Sequence, residues 1–165
     1  GDYATALTID ASALDAADAA LTITGTNAAK SITYTGGAGV DIVTGGTLGD
    51  NISGGAGADV IAGTAGNNTL AGGAGNDTIS VGSGIDNVDG GAGNDIITGG
   101  STTNAVDTID GGADTDTLTV SAAVGYSTIL GGVSNVEVLK PIGAIAITLQ
   151  TPITGMSTIN LSDLK

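Results

Sequence analysis

The chain has 165 residues, 41% hydrophobic but only 2% aromatic, with 30 glycines, no cysteine, no histidine and a net charge of −14 from 17 acids against Lys30, Lys140 and Lys165. So acidic a chain has nothing with which to neutralise phosphates, which excludes nucleic acid and anionic membrane surfaces; the missing Cys and His exclude disulfides, thiolate nucleophiles, His-dependent triads and the usual zinc and haem sites. Without Phe or Trp the core must be built from Ile, Val, Leu and Ala, which suits thin stacked layers, and the glycine share, well above the usual share of about 7%, points to one backbone geometry used repeatedly.

Residues 1–35 contain "ALTIDASAL", "ALTITGT" and "KSITYTGG". Each is a short alternating run rich in Ile, Leu and Thr, the period-2 signature of a half-buried strand. Their spacing is irregular. "ASALDAADAA" between them is compatible with a single helical turn or a broad corner, and the corner is preferred. No run approaches about 18 uninterrupted apolar residues, so no membrane-spanning helix is expected. The start at Gly1, without Met or a signal peptide, reads as the edge of a segment cut from a longer protein.

From Gly36 to Thr98 the sequence divides without a gap into seven nonapeptides: GGAGVDIVT, GGTLGDNIS, GGAGADVIA, GTAGNNTLA, GGAGNDTIS, VGSGIDNVD and GGAGNDIIT. An eighth unit, GGSTTNAVDTID, carries three extra residues, and a ninth, GGADTDTLT, ends at Thr119. The eighth column holds Val43, Ile52, Ile61, Leu70, Ile79, Val88, Ile97, Ile109 and Leu118; the sixth holds Asp41, Asp50, Asp59, Asn68, Asp77, Asp86, Asp95, Asp107 and Asp116. The pattern G-G-x-G-x-D-x-U-x, with U a large aliphatic, resembles the RTX (repeats-in-toxin) family of calcium-binding β-rolls. The resemblance implies an all-β, right-handed parallel β-roll, a β-solenoid with two repeats per coil, spanning 36–119, with residues 1–35 and 120–165 as less regular flanking rungs that cap it.

The chemistry of the unit agrees with that resemblance. Its last three residues place one aliphatic between small or polar neighbours, one tooth of a strand whose apolar side faces in. Two such strands close a coil, so the true period is 18 residues and nine units make about four and a half coils, stacked roughly 4.8 Å apart. The glycine-rich turn would not hold itself, since ordering each residue costs about 1–2 kcal/mol. Its carbonyls and the aspartate offer hard oxygens in stacked sets, a shell that suits calcium better than magnesium, which prefers to keep its waters. The candidate ligands are the nine residues of the Asp/Asn column and the carbonyls of Gly37, Gly39, Gly55, Gly57, Gly73, Gly75, Gly91 and Gly93.

The 18-residue period separates two edges. Units one, three, five, seven and nine, with Asp41, Asp59, Asp77, Asp95 and Asp116, form a near-ideal edge, for which about four calcium ions are expected. Units two, four, six and eight, with Asp50, Asn68, Asp86 and Asp107, form an eroded one: Leu48 replaces a turn glycine, Asn68 the acid and Val81 the leading glycine. That edge is expected to hold about one to three ions, more weakly.

After Thr119 come "NVEVLK", "AIAITLQ" and "STINLS", again short alternating runs that read as solenoid rungs. Together with "LTIDASAL" and "GGADTDTLTVSAAVGYSTILGGVSNVEVL", which includes a G-x-x-N-x-E-x-L step at Gly132, Asn135, Glu137 and Leu139, they resemble calcium-dependent S-layer proteins and related large bacterial surface proteins. This resemblance implies a secreted, cell-surface structural protein that folds and assembles outside the cell on binding Ca2+, with self-association or neighbouring domains as partners and a cell-surface polysaccharide as the anchor, bound through other parts of the protein. The alternative is a calcium-triggered folding and secretion module, the tail of a type I secreted adhesin, toxin or enzyme. No catalysis is expected. The glycine runs lack the Lys-Ser or Lys-Thr of a phosphate cradle. The acids are equivalent members of a column, not the unequal pair that glycoside cleavage requires.

Overall fold

The computed structural model describes residues 6–16, 20–25, 30–99, 107–121, 127–130, 132–142, 146–149 and 155–159. In chain order the strands are β1 (Leu7–Asp10), β2 (Thr22–Thr24), β3 (Ile32–Thr35), β4 (Ile42–Thr44), β5 (Asn51–Ala56), β6 (Val60–Ala62), β7 (Thr69–Ala74), β8 (Thr78–Ser80) and β9 (Asn87–Ala92). They continue with β10 (Ile96–Gly99), β11 (Thr108–Ala113), β12 (Thr117–Ser121), β13 (Ser127–Leu130), β14 (Val133–Ser134), β15 (Val138–Ile142), β16 (Ala146–Leu149) and β17 (Thr158–Ile159). The described residues contain no helix, and Ala11 to Leu14 is a turn closed by the Leu14 N–H on the Ala11 carbonyl at 2.9 Å.

The chain winds between two parallel sheets. One has the order β1-β3-β5-β7-β9-β11-β14, the other β17-β15-β12-β10-β8-β6-β4-β2. Strands of even and odd repeat units therefore fall on opposite sheets, as the 18-residue period requires. Ile52 pairs with Leu70 and Leu70 with Val88; on the other sheet Val43 pairs with Ile61 and Ile61 with Ile79. Past the lengthened eighth unit Val88 still pairs with Ile109 and Ile97 with Leu118, so the register is kept across it. The fold is the all-β parallel solenoid expected.

The core is one column of aliphatics from each sheet. Val43, Ile61, Ile79, Ile97 and Leu118 face Ile52, Leu70, Val88 and Ile109, all buried. Each contributes about 1.5–3 kcal/mol by leaving water. Their neighbours along the strand point out, as in β4, where Ile42 is exposed and Val43 is sealed. Tyr34 and Ile32 extend the core towards the N-terminal end, and Val133, Val136 and Leu139 extend it towards the other.

Two details differ from the sequence expectation. Strands of the even units are six residues long, not three: β5, β7, β9 and β11 run on through the Gly-Gly-Ala of the following unit, because Gly55 and Ala56 pair in register with Gly73 and Ala74. The "AIAITLQ" segment does not add a rung to either main sheet; its strand β16 pairs with β13 in a separate two-stranded sheet. β14, at two residues, is too short a template, whereas β13 pairs over four.

Candidate metal centre

The sixth position of each unit ends the glycine turn and begins a strand, which fixes where its side chain goes. Asp41, Asp50, Asp59, Asn68, Asp77, Asp86, Asp95 and Asp116 are all at most 3% exposed, an unusual depth for carboxylates. Asp107 is half-buried. Each side chain uses Oδ1 to accept the backbone N–H of the sixth-position residue one coil earlier. On the near-ideal edge the N–H of Asp41 donates to Asp59 at 2.7 Å, Asp59 to Asp77 at 2.7 Å, Asp77 to Asp95 at 2.8 Å and Asp95 to Asp116 at 2.9 Å. Glu137 ends the column by accepting from the Asp116 N–H at 2.8 Å through Oε2. On the other edge Asp50 donates to Asn68 at 2.9 Å, Asn68 to Asp86 at 2.7 Å and Asp86 to Asp107 at 3.0 Å.

The second carboxylate oxygen turns back over the first glycine of its own unit. A methyl carbon added at Gly36 would stand 2.7 Å from Asp41 Oδ2, and one at Gly111 2.8 Å from Asp116 Oδ2; at Gly54, Gly72 and Gly90 it would collide with Asp59, Asp77 and Asp95. Carbonyls of the next coil reach the same places. The Gly72 carbonyl oxygen lies 2.7 Å from the added carbon at Gly54, and that of Gly90 2.5 Å from the one at Gly72. Over Gly111 the carbonyl comes from Asn135, which adopts a left-handed φ of 49°. Each leading glycine thus stands where a side chain would meet both a carboxylate oxygen and a carbonyl of the adjacent coil, and its lack of a Cβ lets the two oxygens converge.

Among the described residues five second carboxylate oxygens, Oδ2 of Asp59, Asp77, Asp86, Asp95 and Asp116, are buried without a hydrogen-bond partner. A buried charge left unpaired is costly, so the arrangement is incomplete without a cation. Burial pushes the Asp59 and Asp95 carboxyls up to about 6, against the pull of the backbone N–H each accepts, with neighbouring carboxylates adding to the rise. Asp77, Asp86, Asp107 and Asp116 are raised for the same first reason, burial. Among the described residues no three carboxylates gather at one point. The donor set is therefore one carboxylate per coil plus backbone carbonyls, all hard oxygen, and it fits calcium. Bound there, calcium supplies the positive charge that the columns lack. The chain's own part is to hold the oxygens in line through the Oδ1 ladder and to keep water out.

The other candidate glycines play a different part in the turn. Gly75 adopts φ 129°, and a side chain on it would run into the Gly57 carbonyl below, so both backbone angle and stacking demand glycine. The carbonyls of Gly37, Gly39, Gly55, Gly57, Gly73 and Gly75 press against the glycine one coil on, as does that of Gly91 against Gly112, and the Gly37 carbonyl accepts the Ala56 N–H at 2.7 Å. Gly93 donates its N–H to the Ala113 carbonyl at 3.2 Å. The fifth position adds a ladder of its own: Asn76 Oδ1 accepts the Asn94 N–H at 2.8 Å, and Asn94 Oδ1 the Thr115 N–H at 2.9 Å.

The eroded edge differs in kind. Asp50 Oδ2 accepts the Gly46 N–H at 2.7 Å, Asn68 turns its Nδ2 to the Gly66 carbonyl at 3.2 Å, and Val81 is wholly buried where a leading glycine stands elsewhere. Thr64, in the second position, takes a left-handed φ of 68° and donates through Oγ1 to the Gly46 carbonyl. Asp86 alone on this edge keeps a buried oxygen unpartnered among the described residues.

Sequence reasoning missed the ends of the columns. By strand register Leu21 and Ile32 hold the aspartate position in the rungs before Asp41 and Asp50, and Glu137 holds it after Asp116. The signal for Glu137 was its place two residues before Leu139, matching Asp116 before Leu118. Tyr34, aligned with Ile52, reaches across the interior so that its hydroxyl donates to Asp41 Oδ2 at 2.9 Å.

The model of the RTX calcium-binding nonapeptide repeat (4 copies) matches residues 44–79, 71–106 and 80–118. No curated protein and no solved structure matches the chain. The nonapeptide register, the paired parallel sheets and the buried acid columns agree with that match over one continuous stretch, so that residues 44–118 carry calcium-binding nonapeptide repeats of the RTX β-roll type.

Proposed function

We propose that this chain is a calcium-folded structural segment of a bacterial surface-layer protein, secreted loose and set outside the cell by calcium. The observation that carries the calcium part is the row of buried, unpartnered Oδ2 atoms at Asp59, Asp77, Asp95 and Asp116. Extracellular calcium modules bind at about 10⁻⁴–10⁻³ M, so such a segment stays open in the cytosol and closes outside. The surface-layer part is supported by the rungs that flank the repeats on both sides, since β1 to β3 and β14, β15 and β17 continue the main sheets without the glycine-aspartate repeat. It is also supported by the resemblance of the Gly132, Asn135, Glu137 and Leu139 step.

The segment is proposed to have no catalytic activity of its own. Without His, Cys or Arg it has few groups to activate a nucleophile, and Asp59, Asp77, Asp95 and Asp116 repeat one environment down their column. Electron microscopy of the full-length protein with and without calcium tests the reading. Ordered sheets or filaments that form with calcium and dissolve in chelator support it. A calcium-folded monomer following a catalytic or toxin domain would favour the secretion-tail alternative instead.

A further inference from the structure

The N-terminal ends of the two acid columns are built differently from the rest. At the N-terminal end of the near-ideal edge both oxygens of Asp41 are engaged by the protein: Oδ1 accepts the Leu21 N–H at 3.1 Å and Oδ2 accepts the Tyr34 hydroxyl at 2.9 Å. On the other edge Asp50 is likewise complete, with Oδ1 on the Ile32 N–H at 2.6 Å and Oδ2 on the Gly46 N–H at 2.7 Å. One rung earlier the acid is gone. Ile32 fills that column with hydrocarbon, and its δ-methyl presses on Gly25 where the Asp50 carboxylate presses on Gly45. From Asp59 onward no donor among the described residues replaces these partners, and Oδ2 is left unpaired at Asp59, Asp77, Asp95, Asp116 and Asp86.

We infer that the first coil carries its own occupants where later coils take metal: the Tyr34 hydroxyl stands in for a cation at Asp41, and calcium is held from Asp59 onward on that edge and at Asp86 on the other. The inference rests on the reading that the repeats bind calcium. A phenol can do this because Tyr34 sits in the aliphatic column of the opposite sheet, fully buried in the core, and is long enough to cross a thin interior. Its O–H donor meets an ionised acceptor, one of the stronger hydrogen bonds available. The leading glycine of this unit, Gly36, is crowded in the same way as Gly54, with Asp41 Oδ2 and the Gly54 carbonyl both converging on it. The place is thus built like the others and differs in having a donor supplied from within.

The consequence is direction. In a solenoid each coil is stabilised mainly by its neighbours, so a coil that needs no metal is a ready template for the next. Calcium would then lock coils in order from Asp59 outward.

Two measurements on the whole chain test this. Amide exchange of wild type in excess chelator should leave β3 and β4 protected by at least about tenfold more than β8 and β10; equal loss of protection at both places overturns the inference. Calcium stoichiometry by equilibrium dialysis should rise by one ion in Tyr34→Phe, which keeps the ring and uncovers Asp41 Oδ2, and the protection of β3 and β4 should become calcium-dependent. An unchanged ion count in Tyr34→Phe overturns the stand-in role. If that variant does not fold, the wild-type exchange result decides alone. A wild-type chain that binds no calcium at all overturns the calcium reading itself, a result distinct from an ion already held at Asp41.

Discussion

The N–H of Asp77 donates to Oδ1 of Asp95 one coil further on, at 2.8 Å, while Oδ2 of both residues has no partner among the described residues. One carboxylate thus performs two tasks. Its first oxygen satisfies a backbone N–H that the turn would otherwise bury unpaired, and its second contributes to a space between coils. The two tasks separate what holds without metal from what does not: the Oδ1 ladder links coils in the metal-free chain, but at the cost of burying a row of like charges.

Removing calcium should therefore open the middle of the solenoid. Circular dichroism in excess chelator should lose most of the β signal contributed by residues 36–119 and regain it on adding calcium, as expected when binding and folding are one event. An undiminished β spectrum in chelator would show that the Oδ1 ladder and the aliphatic column suffice without the ion.

The response to pH should have opposite signs with and without calcium. Asp59 and Asp95 are raised from 3.8 to about 6 by burial, so the folded chain binds protons more readily than the unfolded one. Without metal, their contribution to stability is fully present below 3.8 and is lost as pH rises through about 6. With metal, the carboxylates must be ionised to bind, so the calcium midpoint should fall as pH rises through the same window and then level off. Urea midpoints in chelator and calcium titrations across pH 4–7 check both arms; a urea midpoint in chelator that rises with pH, or a calcium midpoint that does not fall, would refute the assignment of these two carboxyls.

The middle of the fold was legible because its two signals coincide. Val43, Ile61 and Ile79 recur at the interval of Asp41, Asp59 and Asp77, and both columns lie in the interior in register. The ends were not legible, because the property that defines them is the absence of the acid. Leu21 and Ile32 hold the aspartate position but look like ordinary strand residues, and Tyr34 is linked to Asp41 across the interior, not along any sequence period. Strand length was misread on the even units for a related reason. Gly54, Gly55 and Ala56 read as turn, yet Gly55 and Ala56 pair with identical residues one coil on, and that repetition favours continuing the ladder.

Asp114 occupies a position where Gly57, Gly75 and Gly93 all have positive φ, and it is itself held at 84°. A left-handed L-residue costs about 1–2 kcal/mol, less for Asp than for most. It also adds like charge beside Asp116, one of the causes of that residue's raised carboxyl. Asp114→Gly should therefore stabilise the calcium-loaded protein by about 1 kcal/mol, read as a higher urea midpoint with unchanged slope. A lower midpoint would mean that the Asp114 carboxylate is itself engaged by the ion.

The two edges should respond unequally to losing one side chain. Asp77 lies in the middle of the near-ideal column, with its Oδ1 on the Asp59 N–H and its Oδ2 unpartnered over Gly72. Asp77→Ala removes a charged donor to the metal and leaves a buried N–H bare, a loss of several kcal/mol, on the order of 3–5. Asn68 carries no charge, and its Nδ2 is already turned to the Gly66 carbonyl. Asn68→Ala forfeits its hydrogen bonds and leaves the Asp50 N–H unpaired, about 1–3 kcal/mol. Because coils are coupled to their neighbours, the first change should shift the calcium midpoint of the whole stack, while the second should lower stability with little effect on the midpoint. Calcium titrations of both variants, followed by dichroism, provide the comparison. If Asn68→Ala raised the midpoint as far as Asp77→Ala, the carboxamide would have to be counted among the ligands and the division between the edges abandoned.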